Sequence, residues 1–346
     1  MKTNKLIVLS ILTIILSACG SSSVKSLTGA GATFPLPYYK MAFDQYYENN
    51  SVSINYGGVG SGGGIRSLGD QVVDFAGSDA YLSEEEMNEL PSEVLHIPSC
   101  MGAIVLAYNL PNIGSLNLDG EVLADIFMGK ITKWNDDRIK SINEGVALPD
   151  IKITTIYRSD GSGSTFVFSD YLSKVSPEWK SEMGVSKSLK WDIGIAAKGN
   201  TGVAGILKQS EGSIAYLGSE YAFALKIPMA NLRNASGHYI APSSAAISAA
   251  ATGEMPSDMR VMITNSQAED AYPISLFTWL LIYKEQNYNG RSIELSKENI
   301  KMIKWMLSPE GQSLTKKINY CPLPAKAIEI SMKALEEVTY NGEKLI

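Results

Sequence analysis

A short polar loop at residues 156–168 carries the side chains of this chain that are best suited to holding an anion. Its sequence, IYRSDGSGSTFVF, places three small hydroxyl residues and two glycines after an arginine and an aspartate. The apolar residues that follow have the spacing of one helix face: Phe168, Tyr171, Leu172 and Val175. The loop is therefore predicted to open a helix, whose free N–H groups and positive dipole end favour a bound anion. Arg158 would add a fixed charge with a fork of donors, and Ser162 and Ser164 would add hydroxyl donors.

Two further loops of small residues, at 29–34 and 58–64, also precede helical patterns. One such loop alone is more often a capped, glycine-rich connection that binds nothing, but three in one chain favour a shared ligand. Strand and helix patterns alternate along the chain and predict a layered α/β fold. Ser83, which forms a capping box with Glu86, and Ser296 are predicted to cap two of the helices. If strand ends gather the three loops at one cleft, they form a nest of neutral donors suited to a compact, desolvated oxyanion.

Other chemistries have weaker patterns in this chain. Residues 58–63 match the dinucleotide fingerprint Gly-x-Gly-x-x-Gly, yet Asp79 is the only acid near the distance at which that fold needs one. Neither a P-loop nor a Gly-x-Ser-x-Gly nucleophile elbow occurs. His96 and His238 are the only histidines, and neither has a partner at metal-ligand spacing, so packing or surface roles are expected. The sequence thus predicts a binding protein without a cofactor or a metal, and not an enzyme.

The N-terminal residues have the pattern of an export signal. A short basic head and an apolar run over residues 6–16 lead into Leu-Ser-Ala-Cys, and the run is too short to span a membrane. This ending resembles a bacterial lipobox, which implies cleavage before Cys19 and attachment of lipid, palmitate included, to its thiol. A plain signal peptide, or a cysteine that stands there by chance, is the alternative. We therefore predict a leader at residues 1–18 and a lipid-anchored tether at 19–26, with no other membrane span.

Composition limits the partners of the mature chain. The 346 residues carry a formal net charge of −6, which falls to −8 once the two lysines of residues 1–18 are removed. A net acidic protein without a basic stripe is poorly suited to nucleic acid, so we expect none as a partner. With Cys19 assigned to lipid, Cys100 and Cys321 remain, and an exported protein permits either a disulfide between them or two buried free thiols.

Seven motifs follow one another along the predicted mature chain: TGAGATFPLPYY (28–39), GVGSGGGI (58–65), VDFAGSDAYLS (73–83), IFMGKITKWND (126–136), RSDGSGSTFVF (158–168), AKGNTGVAG (197–205) and YCPLP (320–324). In this order they resemble the phosphate-binding, substrate-binding subunit of the bacterial high-affinity phosphate ABC importer. The resemblance implies a two-lobed periplasmic-binding-protein fold of type II, each lobe a β-sheet flanked by helices, with the ligand cleft between the lobes. Two long apolar strands, predicted at 97–108 and 273–284, would carry the chain between lobe I (27–100 and 273–346) and lobe II (101–272).

The resemblance also implies which residues bind phosphate. They come from the three loops and one strand end: Thr33, Phe34, Ser61, Asp79, Arg158, Ser162, Gly163 and Ser164, with Asp160 holding Arg158 in place. The residues that would touch phosphate donate to it through hydroxyl, backbone N–H or guanidinium groups, except Asp79, which is the single acceptor. Two positions depart from the family pattern. Ser164 stands where threonine is usual, which leaves Ser164 or Thr165 as the source of the hydroxyl, and Gly62 replaces a commoner serine.

Asp79 also has a physical role in this prediction. An ionised carboxylate only accepts hydrogen bonds and repels an anion, so it is tolerated only if the ligand brings a proton. Phosphate at neutral pH keeps one proton and sulfate has none, so the aspartate selects phosphate by leaving sulfate a repulsive contact. The alternative is that Asp79 merely caps the helix that begins near Ser83.

The function implied by the resemblance is capture of inorganic phosphate and its delivery to the permease subunits of an ABC importer. The protein would be a monomer, anchored through Cys19 on the extracytoplasmic side of a membrane, in the periplasm or at the cell surface. A receptor for another protonated oxyanion such as arsenate is the alternative within this class. A secreted phosphatase-like or nucleotide enzyme is a second alternative. The chain shows no obvious nucleophile–base pair, which argues against it. A surface adhesin that keeps the fold is a third, and retention of Arg158, Asp79 and Ser61 speaks against it.

Overall fold

The computed structural model describes residues 26–345. The predicted leader at 1–18, the predicted lipid attachment site Cys19 and most of the predicted tether at 19–26 lie outside that range. Among the described residues, no helix combines the length and the apolar character that a membrane crossing needs. The same part of the chain contains no cluster of three or more histidine, cysteine or acidic side chains placed to hold a metal ion.

Strands and helices alternate through most of the described range. The strands are β1 (Ser26–Gly31), β2 (Ser53–Gly58), β3 (Phe75–Ser78), β4 (Val94–Tyr108), β5 (Asn117–Leu118), β6 (Thr154–Arg158), β7 (Ile195–Ala197), β8 (Ser213–Gly218), β9 (Asn231–Arg233), β10 (Tyr239–Ile240), β11 (Ser275–Tyr283), β12 (Thr339–Tyr340) and β13 (Glu343–Lys344). The helices are α1 (Leu36–Asn50), α2 (Ser61–Gly69), α3 (Glu84–Asn88), α4 (Gly120–Phe127), α5 (Asp137–Ser141), α6 (Gly163–Val175), α7 (Pro177–Glu182), α8 (Gly199–Gln209), α9 (Ser219–Leu225), α10 (Ser244–Ala249), α11 (Ile293–Leu307), α12 (Pro309–Ser313) and α13 (Ala325–Leu335), with a 3₁₀ helix at Thr315–Ile318.

Eight of these strands form one sheet, in the order β2-β1-β3-β11-β4-β8-β6-β7. Its central member, β4, changes partner along its length: residues 94–103 pair antiparallel with β11, and residues 104–108 pair antiparallel with β8. The apolar runs predicted as strands at 97–108 and 273–284 correspond to β4 and β11, and every residue of β11 is buried. Such continuous apolar runs are typical of strands covered on both faces. One strand thus serves both halves of the sheet, and the boundaries given above for the two lobes stay a prediction.

Parallel pairing brings the carboxyl ends of several strands together. Strand β1 pairs parallel with β2 and β3, and β6 pairs parallel with β7 and β8. Parallel strands point the same way, so within each group the carboxyl ends meet at one edge, where ligands of such sheets bind. The candidate residues follow these ends closely: Thr33 after β1, Ser61 after β2, Asp79 after β3 and Arg158 as the last residue of β6.

Two helix starts were predicted from capping residues. Ser83 is the N-cap of α3: its hydroxyl accepts the Glu86 N–H and the Glu86 carboxylate accepts the Ser83 N–H, each at 3.1 Å, so the capping box is confirmed. The prediction for Ser296 is wrong, because α11 begins earlier with Ser292 as its N-cap. The Ser292 hydroxyl accepts the Leu295 N–H at 3.2 Å, and Ser296 lies buried inside the helix, where its hydroxyl donates to the Ser292 carbonyl at 2.9 Å.

Cys100, Cys321 and one histidine pack inside the described part of the fold. Cys100 and Cys321 are buried free thiols, so the second of the two alternatives for them holds. His96 is buried, and its Nε2 accepts the Leu82 N–H at 3.0 Å. Burial lowers the pKa of His96 to about 3, so the ring is neutral and able to accept that bond. His238 is exposed.

Glu220 in α9 is a buried carboxyl that no sequence pattern indicates. It is 3% exposed, and neither side-chain oxygen has a hydrogen bond of normal geometry within the described chain. Burial raises its pKa well above the ordinary 4.5, and the nearby Asp79 adds to the effect. The backbone N–H of Glu220 itself and the nearby Tyr320 favour the ionised form and offset the rise in pKa only in part, and the Tyr320 hydroxyl is donated to the Phe34 carbonyl at 2.5 Å. The folded chain therefore holds the Glu220 proton at pH values where the unfolded chain has lost it.

We expect Glu220→Gln to change how stability depends on pH. As the pH rises above the ordinary pKa of 4.5, the unfolded wild type releases this proton while the folded state retains it or becomes a buried charge, so the wild type loses stability. The free energy of unfolding of the variant relative to the wild type should therefore increase between about pH 5 and pH 8. Urea denaturation at several pH values measures this, with Gln at the exposed Glu121 as a control for the substitution. A difference that does not change with pH would contradict a neutral Glu220.

Candidate anion-binding site

The three loops predicted to share a ligand contact one another directly. The Gly62 N–H donates to the Gly161 carbonyl at 2.9 Å, which joins the second loop to the third. The Gly163 N–H donates to the Ser61 hydroxyl at 3.1 Å. In the first loop, the Gly31 carbonyl accepts the Gly60 N–H of the second loop at 2.9 Å, and the Thr33 hydroxyl accepts hydrogen bonds from the start of α8. Residues far apart in the sequence thus form one cluster at the strand ends.

Arg158 is the charged donor of this cluster, and Asp160 holds its guanidinium. The Arg158 side chain is 1% exposed. Its Nε donates to Oδ1 of Asp160 at 2.8 Å and one terminal nitrogen donates to Oδ2 at 2.5 Å, while the other terminal nitrogen lies 3.4 Å from the Ser164 hydroxyl. Burial alone would raise the pKa of Asp160, but the hydrogen bonds and charge of Arg158 outweigh it and hold the pKa below its ordinary value. Asp160 is therefore ionised, and the pair fixes the plane of the guanidinium.

Ser61 is fixed as a hydrogen-bond donor by its surroundings. Its hydroxyl oxygen accepts the N–H groups of Asp79, at 3.2 Å, and of Gly163, at 3.1 Å. A hydroxyl has two lone pairs and one proton, so two accepted bonds leave only the proton to be shared. Because Ser61 is fully buried, that proton points to a partner inside the cluster rather than to bulk water. An anion is a partner of this kind.

The start of α6 is built from small hydroxyl residues. Ser162 is the N-cap of α6, and its hydroxyl accepts the Thr165 N–H at 3.1 Å. The Thr165 hydroxyl shares a 2.7 Å hydrogen bond with the hydroxyl of Tyr216, whereas Ser164 lies beside Arg158. Of the two hydroxyls that the sequence left open, Ser164 is thus the one next to the guanidinium.

Asp79 brings a carboxyl into the same cluster. It is 1% exposed, and its Oδ1 accepts the Thr278 hydroxyl at 2.8 Å. Burial raises the pKa of Asp79 to about 7, although the Thr278 bond and the charge of Arg158 oppose the rise. Its Oδ2 faces the start of α6, since a Cβ added at Gly163 would lie 2.8 Å from it. The alternative role as a helix cap fails, because Ser83 is the N-cap of α3.

Tyrosines hold the first loop from two sides. Phe34 is buried, and its ring meets the Tyr320 ring edge-on with centroids 5.4 Å apart. The Tyr320 hydroxyl donates to the Phe34 carbonyl, and the Tyr221 hydroxyl donates to the Thr33 carbonyl at 2.6 Å. Sequence reasoning missed these residues: Tyr320 lies in the YCPLP motif without an assigned role there, and Tyr221 and Thr278 have no local signal.

Comparisons with known proteins identify the family. A family model described as a PBP superfamily domain matches residues 17–310. The phosphate-binding protein PstS of Xylella fastidiosa (strain 9a5c) is 39% identical over 318 residues, which cover 90% of this chain and 85% of that protein. The phosphate-binding protein PstS of Pasteurella multocida (strain Pm70) is 37% identical over 314 residues, which cover 89% of each. The chain belongs to the PstS family.

Solved structures support the same fold for this PstS family member. A high-affinity periplasmic phosphate-binding protein, PfluDING, bound with phosphate at pH 8.5, matches with a TM-score of 0.69 at 22% identity, covering 88% of this chain and 92% of that one. A phosphate-binding protein from Stenotrophomonas maltophilia matches with a TM-score of 0.65 at 20% identity, with the same coverage of 88% and 92%. At these identities the likeness shows the fold, and the predicted two-lobed α/β periplasmic-binding-protein fold is confirmed.

We expect Gly163→Ala to strain the contact between α6 and the end of β3. An added Cβ would lie 2.4 Å from the Ser61 hydroxyl oxygen and 2.6 Å from the Asp79 Cβ, which is closer than packed atoms approach. Overpacking of this kind lowers the free energy of unfolding by about 1–3 kcal/mol. Gly205→Ala in α8 is the matched control: nothing lies within 4 Å of its added Cβ, and alanine favours a helix by up to about 1 kcal/mol. Denaturant titration compares the two, and equal changes in stability would contradict the close packing at Gly163.

Proposed function

We propose that this chain binds inorganic phosphate in the cluster formed by the three loops and delivers it to an ABC-type phosphate importer. The observation that carries the proposal is a buried set of oriented donors with one arginine and one raised-pKa carboxyl. The PstS relatives are named phosphate-binding proteins, and the solved PfluDING structure is bound with phosphate. The same names support binding rather than catalysis, in agreement with the sequence, which offers no nucleophile–base pair.

Each predicted ligand has a defined part in this proposal. Hydroxyls and backbone N–H groups surround the ion, Arg158 supplies the formal positive charge, and Asp160 orients that charge. The full proposed set is Thr33, Phe34, Ser61, Asp79, Arg158, Asp160, Ser162, Gly163 and Ser164. Neutral donors suit a fully dehydrated oxyanion, because oriented dipoles stabilise its charge without a second buried cation.

Asp79 is the group that would separate phosphate from sulfate. When ionised it accepts the proton that phosphate carries at neutral pH, and sulfate can offer no such proton. Arsenate carries the same proton, so this contact does not distinguish the two protonated oxyanions. The chemistry of the site therefore selects a protonated tetrahedral oxyanion, of which phosphate is the one named for the family.

Binding of labelled phosphate to the purified mature chain tests the proposal directly. The wild type should bind, and Arg158→Ala should weaken binding by about 2–5 kcal/mol, because it removes the charged partner of a buried anion. Circular dichroism checks that the variant is folded. Arg138→Ala, where the side chain is 47% exposed, is the control and should bind as the wild type does. A folded wild type that does not bind phosphate would contradict the proposed function.

Sulfate binding should depend on pH through Asp79. Sulfate does not titrate near neutrality, so a change in its affinity with pH reports on a group of the protein. With a pKa of about 7, the Asp79 carboxyl gains a proton as the pH falls through this value and becomes a donor, so sulfate should bind the wild type more tightly. Asp79→Asn keeps an N–H donor at every pH and should bind sulfate without this pH dependence. Calorimetry between about pH 5.5 and 8.5 measures the sulfate affinity of the wild type and of the variant. Parallel pH profiles for the two proteins would refute the role of Asp79.

We further propose that residues 1–18 are removed and that lipid on Cys19 holds the protein, as a monomer, on the extracytoplasmic side of a membrane. The support is the lipobox-like ending at residues 16–19 and the importer context of the family. Cells expressing the chain should incorporate a palmitate analogue into it and retain it in the membrane fraction. Cys19→Ser should abolish both. Labelling that persists in the serine variant would place the lipid elsewhere.

A further inference from the structure

The first residues of α8 contact both sides of the candidate site. The Gly199 N–H donates to Oδ1 of Asp160 at 3.0 Å, and so supports the carboxylate that holds Arg158. The next residue, Asn200, is fully buried, and both its backbone N–H and its side-chain Nδ2 donate to the Thr33 hydroxyl at 3.2 Å. Two N–H groups at the start of this helix are thus used by protein oxygens.

The orientation of the Asn200 amide is determined by its other partner. Its side-chain Oδ1 accepts the Gly218 N–H at 3.1 Å. A flipped amide would set its NH₂ group against that N–H, so the network assigns Nδ2 to the side that faces Thr33. Asn200 therefore acts towards Thr33 only as a donor.

This donor pair determines what the Thr33 hydroxyl can do. Its two lone pairs accept the two N–H groups of Asn200, so only its single proton remains. Thr33 is 7% exposed, and its proton is therefore directed to a partner within the cluster. Without the Asn200 side chain only the backbone N–H of residue 200 remains as a donor, so one lone pair is freed and the hydroxyl can accept as well as donate.

The contact also joins distant parts of the sheet. Thr33 follows β1 and Asn200 follows β7, and these strands are six positions apart in the strand order. Six strand spacings of about 4.8 Å would separate them by about 29 Å in a flat sheet. Hydrogen bonds of 3.2 Å between Asn200 and Thr33 therefore need the sheet to curl so that the carboxyl ends of β1 and β7 face each other.

We propose that Asn200 is a positioning residue of the anion site, which holds the Thr33 hydroxyl as a donor and joins the β1 and β7 sides of the sheet over the ligand. The inference rests on the proposed function, since it assigns Thr33 a bound phosphate. Asn200 does not itself touch the ion in this account. Loss of its side chain removes one of the two hydrogen bonds to the Thr33 hydroxyl and so leaves that hydroxyl able to accept, and phosphate should leave faster.

A double-mutant comparison of phosphate dissociation rates tests this role. Asn200→Ala should speed dissociation about tenfold in the wild-type background, the effect of about one hydrogen bond. In the Thr33→Val background, which has no hydroxyl to orient, the same change should have less than about a twofold effect. Tyr221→Phe is the matched control, because it removes a bond to the Thr33 carbonyl and should have the same effect in both backgrounds.

The outcomes separate the two levels of the proposal. If the wild type binds phosphate but Asn200→Ala has the same effect in both backgrounds, Asn200 is a merely structural residue and the inference is wrong. If Thr33→Val alone leaves phosphate binding unchanged, the inference is also wrong, while the proposed function stands. A wild type that does not bind phosphate overturns both. If Asn200→Ala does not fold, Asn200→Asp, which keeps an oxygen where Oδ1 accepts the Gly218 N–H but has no Nδ2 donor, enters the same comparison.

Discussion

The bidentate pair between Arg158 and Asp160 is the interaction on which the rest of the candidate site depends. Its two hydrogen bonds orient the guanidinium, and the same carboxylate accepts the Gly199 N–H, so the pair also sets the position of α8. The second loop must pass close to it: a Cβ at Gly60 would lie 2.4 Å from Oδ2 of Asp160, and Gly60 has a φ of +86°. Glycine meets both demands, because it has no Cβ and adopts positive φ without strain.

Because Asp160 balances Arg158, most of the stabilisation of an anion must come from dipoles. Ser61 accepts two backbone N–H groups from within the cluster, which leaves its hydroxyl proton pointing inwards before any ligand arrives. Donors that are already oriented need no reorganisation when charge is bound. Asp79 and Glu220, two of the buried carboxyls, illustrate the same principle in opposite ways. Asp79 has a fixed donor in Thr278 and can serve a ligand, whereas Glu220 has no hydrogen bond of normal geometry in the described chain and only makes folding sensitive to protons.

Sequence patterns predicted the parts of this molecule that local chemistry determines. The apolar runs of β4 and β11, the capping box at Ser83 and the loops at the strand ends follow from residue types a few positions apart. The Ser296 error has a local cause too, since two serines four residues apart both suit a cap and only packing chooses between them. Contacts between distant residues, such as those of Thr278 with Asp79 and of Tyr221 with Thr33, leave no periodic signal. The motif resemblance named residues from every loop, but the partners that orient them come from distant parts of the chain and only the folded structure brings them together.

The shared strand β4 has a mechanical consequence. Its pairing changes from β11 to β8 between Ala103 and Ile104, and beside this point the Ile104 N–H donates to the carbonyl of Ile274 on the returning segment. The chain thus crosses between the halves of the sheet twice, side by side. Two adjacent, hydrogen-bonded crossings resist sliding along their length but yield to twisting and bending. A hinge built in this way would confine any relative motion of the two halves to rotation about axes through the crossings, and a small angle there would become a large displacement at the loop tips.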